Sequence, residues 1–198
     1  MKQKVLLASN NAHKIKEIRA ILGDFFDIVS LREAGVESDP EETGKTFEEN
    51  ARIKAVAGMK ASGMPCIADD SGLEVLALDC RPGVMSARYS GSHGDDAANN
   101  EKLLAELADK PDRSARYVCV ICMAFPDGRE LEARGECYGE ILKEKRGNGG
   151  FGYDPLFYFP QFGKTFAEIS SEEKNEVRHR NAALKAFEKL WEKEINDK

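Results

Sequence analysis

Residues 115–125, ARYVCVICMAF, form an almost uninterrupted apolar run, closed by Pro126-Asp127-Gly128 and followed by a second β-patterned segment, Glu130 to Tyr138. Two such runs across a proline–glycine turn commit this part of the chain to an antiparallel hairpin. Upstream the pattern differs, because strands and helices alternate. Lys4 to Ala8 reads as a buried strand, Asn11 to Leu22 as a helix with Ile15, Ile18, Ile21 and Leu22 on one face, and Phe26 to Ser30 as a strand. The stretch TFEENARIKAVAGMKASG carries a helix signature, with Thr46 as N-cap, Glu49 three residues on and Gly63 as the stop. An apolar strand ending at Ala68, a second strand from Leu73 to Leu78, a loop with Pro82 and Gly83, and a helix from Asp95 to Ala108 follow. From about Glu172 the chain reads as helix again, with Val177, Leu184 and Trp191 spaced by sevens and Phe187 and Leu190 between them as a core stripe. Early alternation and late strands together predict an α/β fold, a mixed central sheet with flanking helices.

The 198 residues show no repeat, low-complexity tract or long linker, and read as one continuous architecture, a single domain over 1–198. Val5 to Ala8 is too short for a signal h-region and no spanning segment follows, so a cytoplasmic protein is expected. Five cysteines (Cys66, Cys80, Cys119, Cys122, Cys137) are an odd number, which argues against a disulfide framework and for small buried residues. The formal charge of −6 argues against broad nucleic-acid binding, which depends on lysine and arginine neutralising phosphates. A single phosphorylated small molecule remains open as a partner.

Three familiar patterns fail on context. Gly147-Asn148-Gly149-Gly150-Phe151-Gly152 spells a dinucleotide fingerprint but follows the charged run Lys143 to Arg146 instead of a strand. Gly44-Lys45-Thr46 lacks the glycine five positions earlier that a P-loop needs, where Asp39 stands instead. Cys119 and Cys122 lie three apart in a strand and face opposite sides of the sheet, so they cannot share a metal.

Four other stretches carry chemistry. In ASNNAHK, Ser9, Asn10 and Asn11 stand between a strand and a helix, which is either a plain N-cap or an anion site, and Lys14 adds a positive charge in the first turn. In ADDSGLEV, Asp69 and Asp70 are adjacent and point opposite ways if the chain is extended, so one is free to bind a hard cation while the other packs structurally. Mg2+ suits such a site, Glu41 or Glu42 offers a second carboxylate, and the alternative is a solvated Asp-Ser turn. In GNGGFGYDP, Phe151 between glycines either stacks on a flat ligand such as a base or plugs the core from a loop. Lys174, Arg178, His179 and Arg180 are either a solvated helix face or a cationic group, and since Lys174 and His179 lie about 140° apart on an unbroken helix, convergence requires a break between them.

Taken in order, ASNNAHK, ETGKTFEENA, ADDSGLEV, PGVMSARYSG, GGFGYDPLF and HRNAAL resemble the inosine triphosphate pyrophosphatase, or Ham1-like, family over nearly the whole chain. The resemblance implies an elongated sheet, two lobes around a substrate cleft, a homodimer, and Mg2+-dependent hydrolysis of non-standard purine nucleoside triphosphates to monophosphate and pyrophosphate. By motif it implies that Ser9, Asn10, Asn11 and Lys14 hold phosphates, that Glu42 and Asp70 serve the metal, and that Asp70 is also the base for the attacking water. Ser71 would touch substrate, Phe151, Gly152, Tyr153 and Asp154 would wall the nucleotide pocket, and Lys174, His179 and Arg180 would close over phosphates and base. Arg178 departs from the family's usual serine before the histidine, a place where serine can cap a helix and arginine cannot. The related Maf-type pyrophosphatases and a catalytically silent nucleotide-binding module are the competing readings. FGYDP and the C-terminal His-Arg disfavour the first, and retention of Glu42, Asp70, Lys14 and Lys174 disfavours the second.

Overall fold

A computed structural model describes residues 2–170, 173 and 179–196. Its order is β1 (Gln3–Leu7), α1 (Ala12–Leu22), β2 (Phe26–Ser30), α2 (Leu31–Ala34), α3 (Phe47–Ser62), β3 (Cys66–Val75), β4 (Arg81–Pro82), α4 (Asp96–Glu106), β5 (Ser114–Ala124), β6 (Glu130–Ile141), β7 (Phe157–Phe159), β8 (Lys164–Thr165) and α5 (His179–Asn196). Short 3-10 helices at Leu76–Leu78 and Gly83–Arg88 flank β4. The strands form one mixed sheet in the order β2-β1-β3-β5-β6-β7-β8, with β4 paired to β3. β1 runs parallel to β2 and β3, whereas β7 is antiparallel to β6 and β8. The mixed α/β expectation is met.

The chain divides into two compact units, and β3, β5 and β6 each contribute to both. The first comprises residues up to Asp70, Cys119–Gly135 and those from Arg180 on. Its parallel strands are buried on both faces, which is why Val5, Leu6 and Leu7 are all apolar. Val5, Leu7 and Ile67 pack with Ile18 and Leu22 of α1 and Ala183, Leu184 and Phe187 of α5. Leu6 and Cys66 face the other way, where Gly58 of α3 approaches them. The second unit, Ser71–Val118 and Glu136–His179, has its own core of Leu73, Leu103, Tyr117, Phe157 and Phe166 among others.

Local chemistry explains most boundaries. Thr46 caps α3 by accepting from Glu49 N, and Gly63 ends it in the left-handed conformation. Ser30 and Glu33 form a reciprocal capping box on the four-residue α2, a helix that the hydrophobic pattern does not announce. α4 stops at Glu106, two residues short of the expectation.

The main departure is β3. The sequence predicts two strands separated by Asp69-Asp70-Ser71-Gly72, but one ten-residue strand runs from Cys66 to Val75. The expected continuation to Leu78 is a 3-10 turn. Charged residues need not break a strand when each finds a partner, and the partners are described below. Leu190, expected in the core stripe, is 40% exposed because it lies off the face shared by Leu184, Phe187 and Trp191. Val177 and Glu172, like Lys174 and Arg178, lie outside the described residues.

Gly58 sets how closely α3 meets the sheet. A Cβ at this position would lie 2.6 Å from Cys66 Sγ and 3.3 Å from Leu6 Cδ2. Gly58→Ala therefore gains about 1 kcal/mol of helix propensity but incurs an overpacking cost of about 1–3 kcal/mol. Urea denaturation should show a net loss, and the Gly58→Ala, Cys66→Ala double variant should recover most of it.

Candidate active site

Side chains two apart in a strand share a face, so Asp69 follows Ile67 and Asp70 follows Cys66 and Ala68. The two carboxylates accordingly meet different helices. Asp69 is buried: Lys14 Nζ donates to its Oδ1 at 2.9 Å and Arg180 Nη2 to its Oδ2 at 3.2 Å. Arg180 Nη1 also donates to Glu17 Oε2 at 2.9 Å. Two cations and two carboxylates thus close a network among α1, β3 and α5. Burial alone would raise the Asp69 pKa, but Lys14 and Arg180 outweigh it and hold the carboxyl well below the usual range.

On the opposite face Lys54 of α3 bridges two acids. Its Nζ lies 2.8 Å from Glu42 Oε1 and 3.1 Å from Asp70 Oδ1. Burial would lower the lysine, yet Asp70 and Glu42 raise it, so the ammonium stays charged. Asp70 moves the other way, pushed up by burial and by the Glu42 charge against the pull of Lys54. Asn50 also faces the Asp70 carboxylate and pulls its proton affinity down, though less than burial pushes it up. A half-buried acid with a second carboxylate across a shared cation has the chemistry of a general base beside a hard-cation site. Mg2+ in particular takes one or two protein carboxylates and completes its shell with water and phosphate.

The turn after β1 completes this site. Ser9 Oγ accepts from Asn11 N at 3.1 Å, and Asn11 Oδ1 accepts from Lys14 N, capping α1. Asn10 Oδ1 instead accepts from Arg32 N, at the start of α2. Ser9, Asn10, Asp39, Glu42 and Lys54 line a cavity of about 720 Å³. Glu41, the other acid considered, is not among its lining residues, and neither are Asn11, Lys14 and Asp70, the last of which meets the cavity through Lys54 and Glu42.

In the second unit the glycine-rich loop is built from its own polar groups. Asp154 Oδ2 accepts from Phe151 N at 2.9 Å, and Tyr153 Oη donates to Ser86 O at 2.9 Å. Asp96 and Asn100 of α4 hold Gly152 at both ends of its peptide groups, Asp96 Oδ2 accepting from Gly152 N and Asn100 Nδ2 donating to Gly152 O. Tyr153 and Asp154 are buried, which leaves Phe151, 67% exposed, as the presented aromatic beside a cavity of about 470 Å³. His179 stacks on Tyr117 with ring centroids 5.1 Å apart. Ser71 is half-buried on β3, and Lys174 lies outside the described residues.

Lys54, Asn50 and the pairing of Asp69 with Lys14 and Arg180 were not read from the sequence, although the expectation that one aspartate of the pair packs structurally was. The signal for Lys54 was a lone charge on the face of α3 that carries Ala51, Ala55 and Gly58, all buried.

The Ham1 family model matches residues 5–190. The chain belongs to the Ham1 family. It is 56% identical over 181 residues, 91% of this chain and 81% of the relative, to a dITP/XTP pyrophosphatase of Desulfotalea psychrophila. A dITP/XTP pyrophosphatase of Clostridium perfringens is 52% identical, with 92% and 94% covered. Among solved structures the Ham1 protein of Staphylococcus aureus matches with a TM-score of 0.91 and 45% identity, over 97% of this chain and all of that one. In this Ham1 chain the two adjacent acids are shifted in opposite directions, Asp69 down and Asp70 up.

Asp69→Asn should destabilise the protein at neutral pH by about 3–5 kcal/mol, the scale for removing one partner of a buried ion pair. Because the folded carboxyl is depressed, its contribution is full above the ordinary value near 3.9 and is lost as pH falls below it. Denaturation of both proteins across this range should show the difference shrinking as pH falls.

Proposed function

We propose that this chain hydrolyses non-standard purine nucleoside triphosphates, namely dITP, ITP and XTP, to the monophosphate and pyrophosphate. The observation that carries the reading is Asp70, half-buried and facing Glu42 across the shared Lys54 ammonium, in a chain of the Ham1 family. Asp70 takes the proton of the attacking water, which needs a carboxylate within hydrogen-bond reach. Lys14 and Lys54 stabilise negative charge as it moves onto the pyrophosphate leaving group. Ser9, Asn10 and Asn11 present the start of α1 to phosphate oxygens.

Glu42 and Asp70 fit Mg2+, and the ion when bound neutralises phosphate charge that lysines alone leave uncompensated. Phe151 stacks on the base, with Gly152, Tyr153 and Asp154 fixing its loop, and Ser71, Lys174, His179 and Arg180 complete the substrate contacts. Selectivity lies at the purine edge, where hypoxanthine and xanthine carry an acceptor oxygen at position 6 and adenine carries a donor amine. We further propose a homodimer that binds no nucleic acid stably. No helix among the described residues is long and apolar enough to cross a membrane.

Pyrophosphate release from ITP, XTP, GTP and ATP, with Mg2+ and with chelator, tests the reading. Metal-dependent release from ITP and XTP far above the other two is expected. Release without selectivity would retain the phosphate chemistry and reject the base pocket, and no release from any of them would reject the enzyme.

A further inference from the structure

Lys54 occupies a position that the proposed chemistry cannot leave unchanged. Its ammonium sits between Glu42 Oε1 and Asp70 Oδ1, at 2.8 and 3.1 Å, and its side chain is only 17% exposed. A divalent ion on the same oxygens would stand about 2.0–2.1 Å from them. An ammonium and a divalent ion sharing one oxygen pair repel strongly in a partly desolvated site.

We infer that Lys54 is the resident counter-ion of these carboxylates and competes with free divalent metal for them. The inference rests on Glu42 and Asp70 being the metal-binding acids. Metal arriving alone on the oxygens that Lys54 holds displaces it from both acceptors and leaves its ammonium with neither carboxylate in a half-buried place. Metal arriving with a triphosphate supplies the replacement, because the phosphate oxygens accept what the carboxylates release. Lys54 thus makes metal and nucleotide binding mutually dependent, and the coupling is reciprocal by linkage. It also lets the two acids stand close together before either ligand is present, since the lysine cancels part of their repulsion.

The test is the affinity for Mn2+ alone, read from the free-ion electron paramagnetic resonance signal without nucleotide. Wild type, Lys54→Met, Lys54→Gln, Lys54→Arg and Asp70→Asn are compared, each checked for folding by circular dichroism. Lys54→Met should bind Mn2+ on the order of 10-fold more tightly than wild type, the scale on which groups behind a metal's ligands change its affinity. Lys54→Gln should gain in the same direction and serves if the methionine variant does not fold. Lys54→Arg keeps the charge and should show no gain.

If Lys54→Met and Lys54→Gln bind no more tightly than wild type while Asp70→Asn loses binding, the competition is refuted and the metal site stands. Binding that ignores Asp70→Asn, or no binding in any protein, would overturn the metal assignment and this inference with it.

Discussion

Two adjacent aspartates in the middle of a strand are tolerable only because the strand's period of two sends them to opposite faces, where each meets its own cation. Asp69 reaches Lys14 and Arg180, and Asp70 reaches Lys54. The rest of the site follows from this division. α1 and α5 are tied to β3 through Asp69, while α3 supplies the cation for Asp70 on the opposite face. The continuity of β3 depends on the same pairing, because unpaired neighbouring charges in a strand buried on both faces would carry a large desolvation cost.

The two environments also separate the tasks. Surrounded by two cations, Asp69 gives up its proton readily and holds none to trade, which suits an anchor. Asp70 has one cation, shared with Glu42, and burial pushes its proton affinity up. An acid tied to two cations and the acid proposed to react therefore stand side by side in sequence. Gly58 contributes at a distance, since its missing side chain lets α3 lie close enough to the sheet to bring Lys54 to the acids.

Much of this was legible in the sequence. The alternation of strands and helices, the late hairpin and the caps at Thr46 and Gly63 all rest on local rules that tertiary packing did not override. The opposite orientation of Asp69 and Asp70 followed from strand geometry alone. The single long β3 did not, because a run of two aspartates, serine and glycine reads locally as a turn, and only partners distant in sequence make it a strand. Lys14 and Arg180 were read as substrate groups, yet Asp69 engages both, a pairing between residues 55 and 111 positions apart that no local pattern encodes. The short strands β7 and β8 escaped for a related reason, being too brief to show a period. Arg178, which carries the chain's departure from the family pattern, lies outside the described residues, as does Lys174.

The claim at the centre of this account is that Asp70 does chemistry while its neighbour holds the fold. The most direct test measures denaturation and turnover of ITP on one preparation of Asp70→Asn. A midpoint close to wild type with turnover lost and nucleotide still bound is the predicted result. Turnover near the wild-type rate would contradict it.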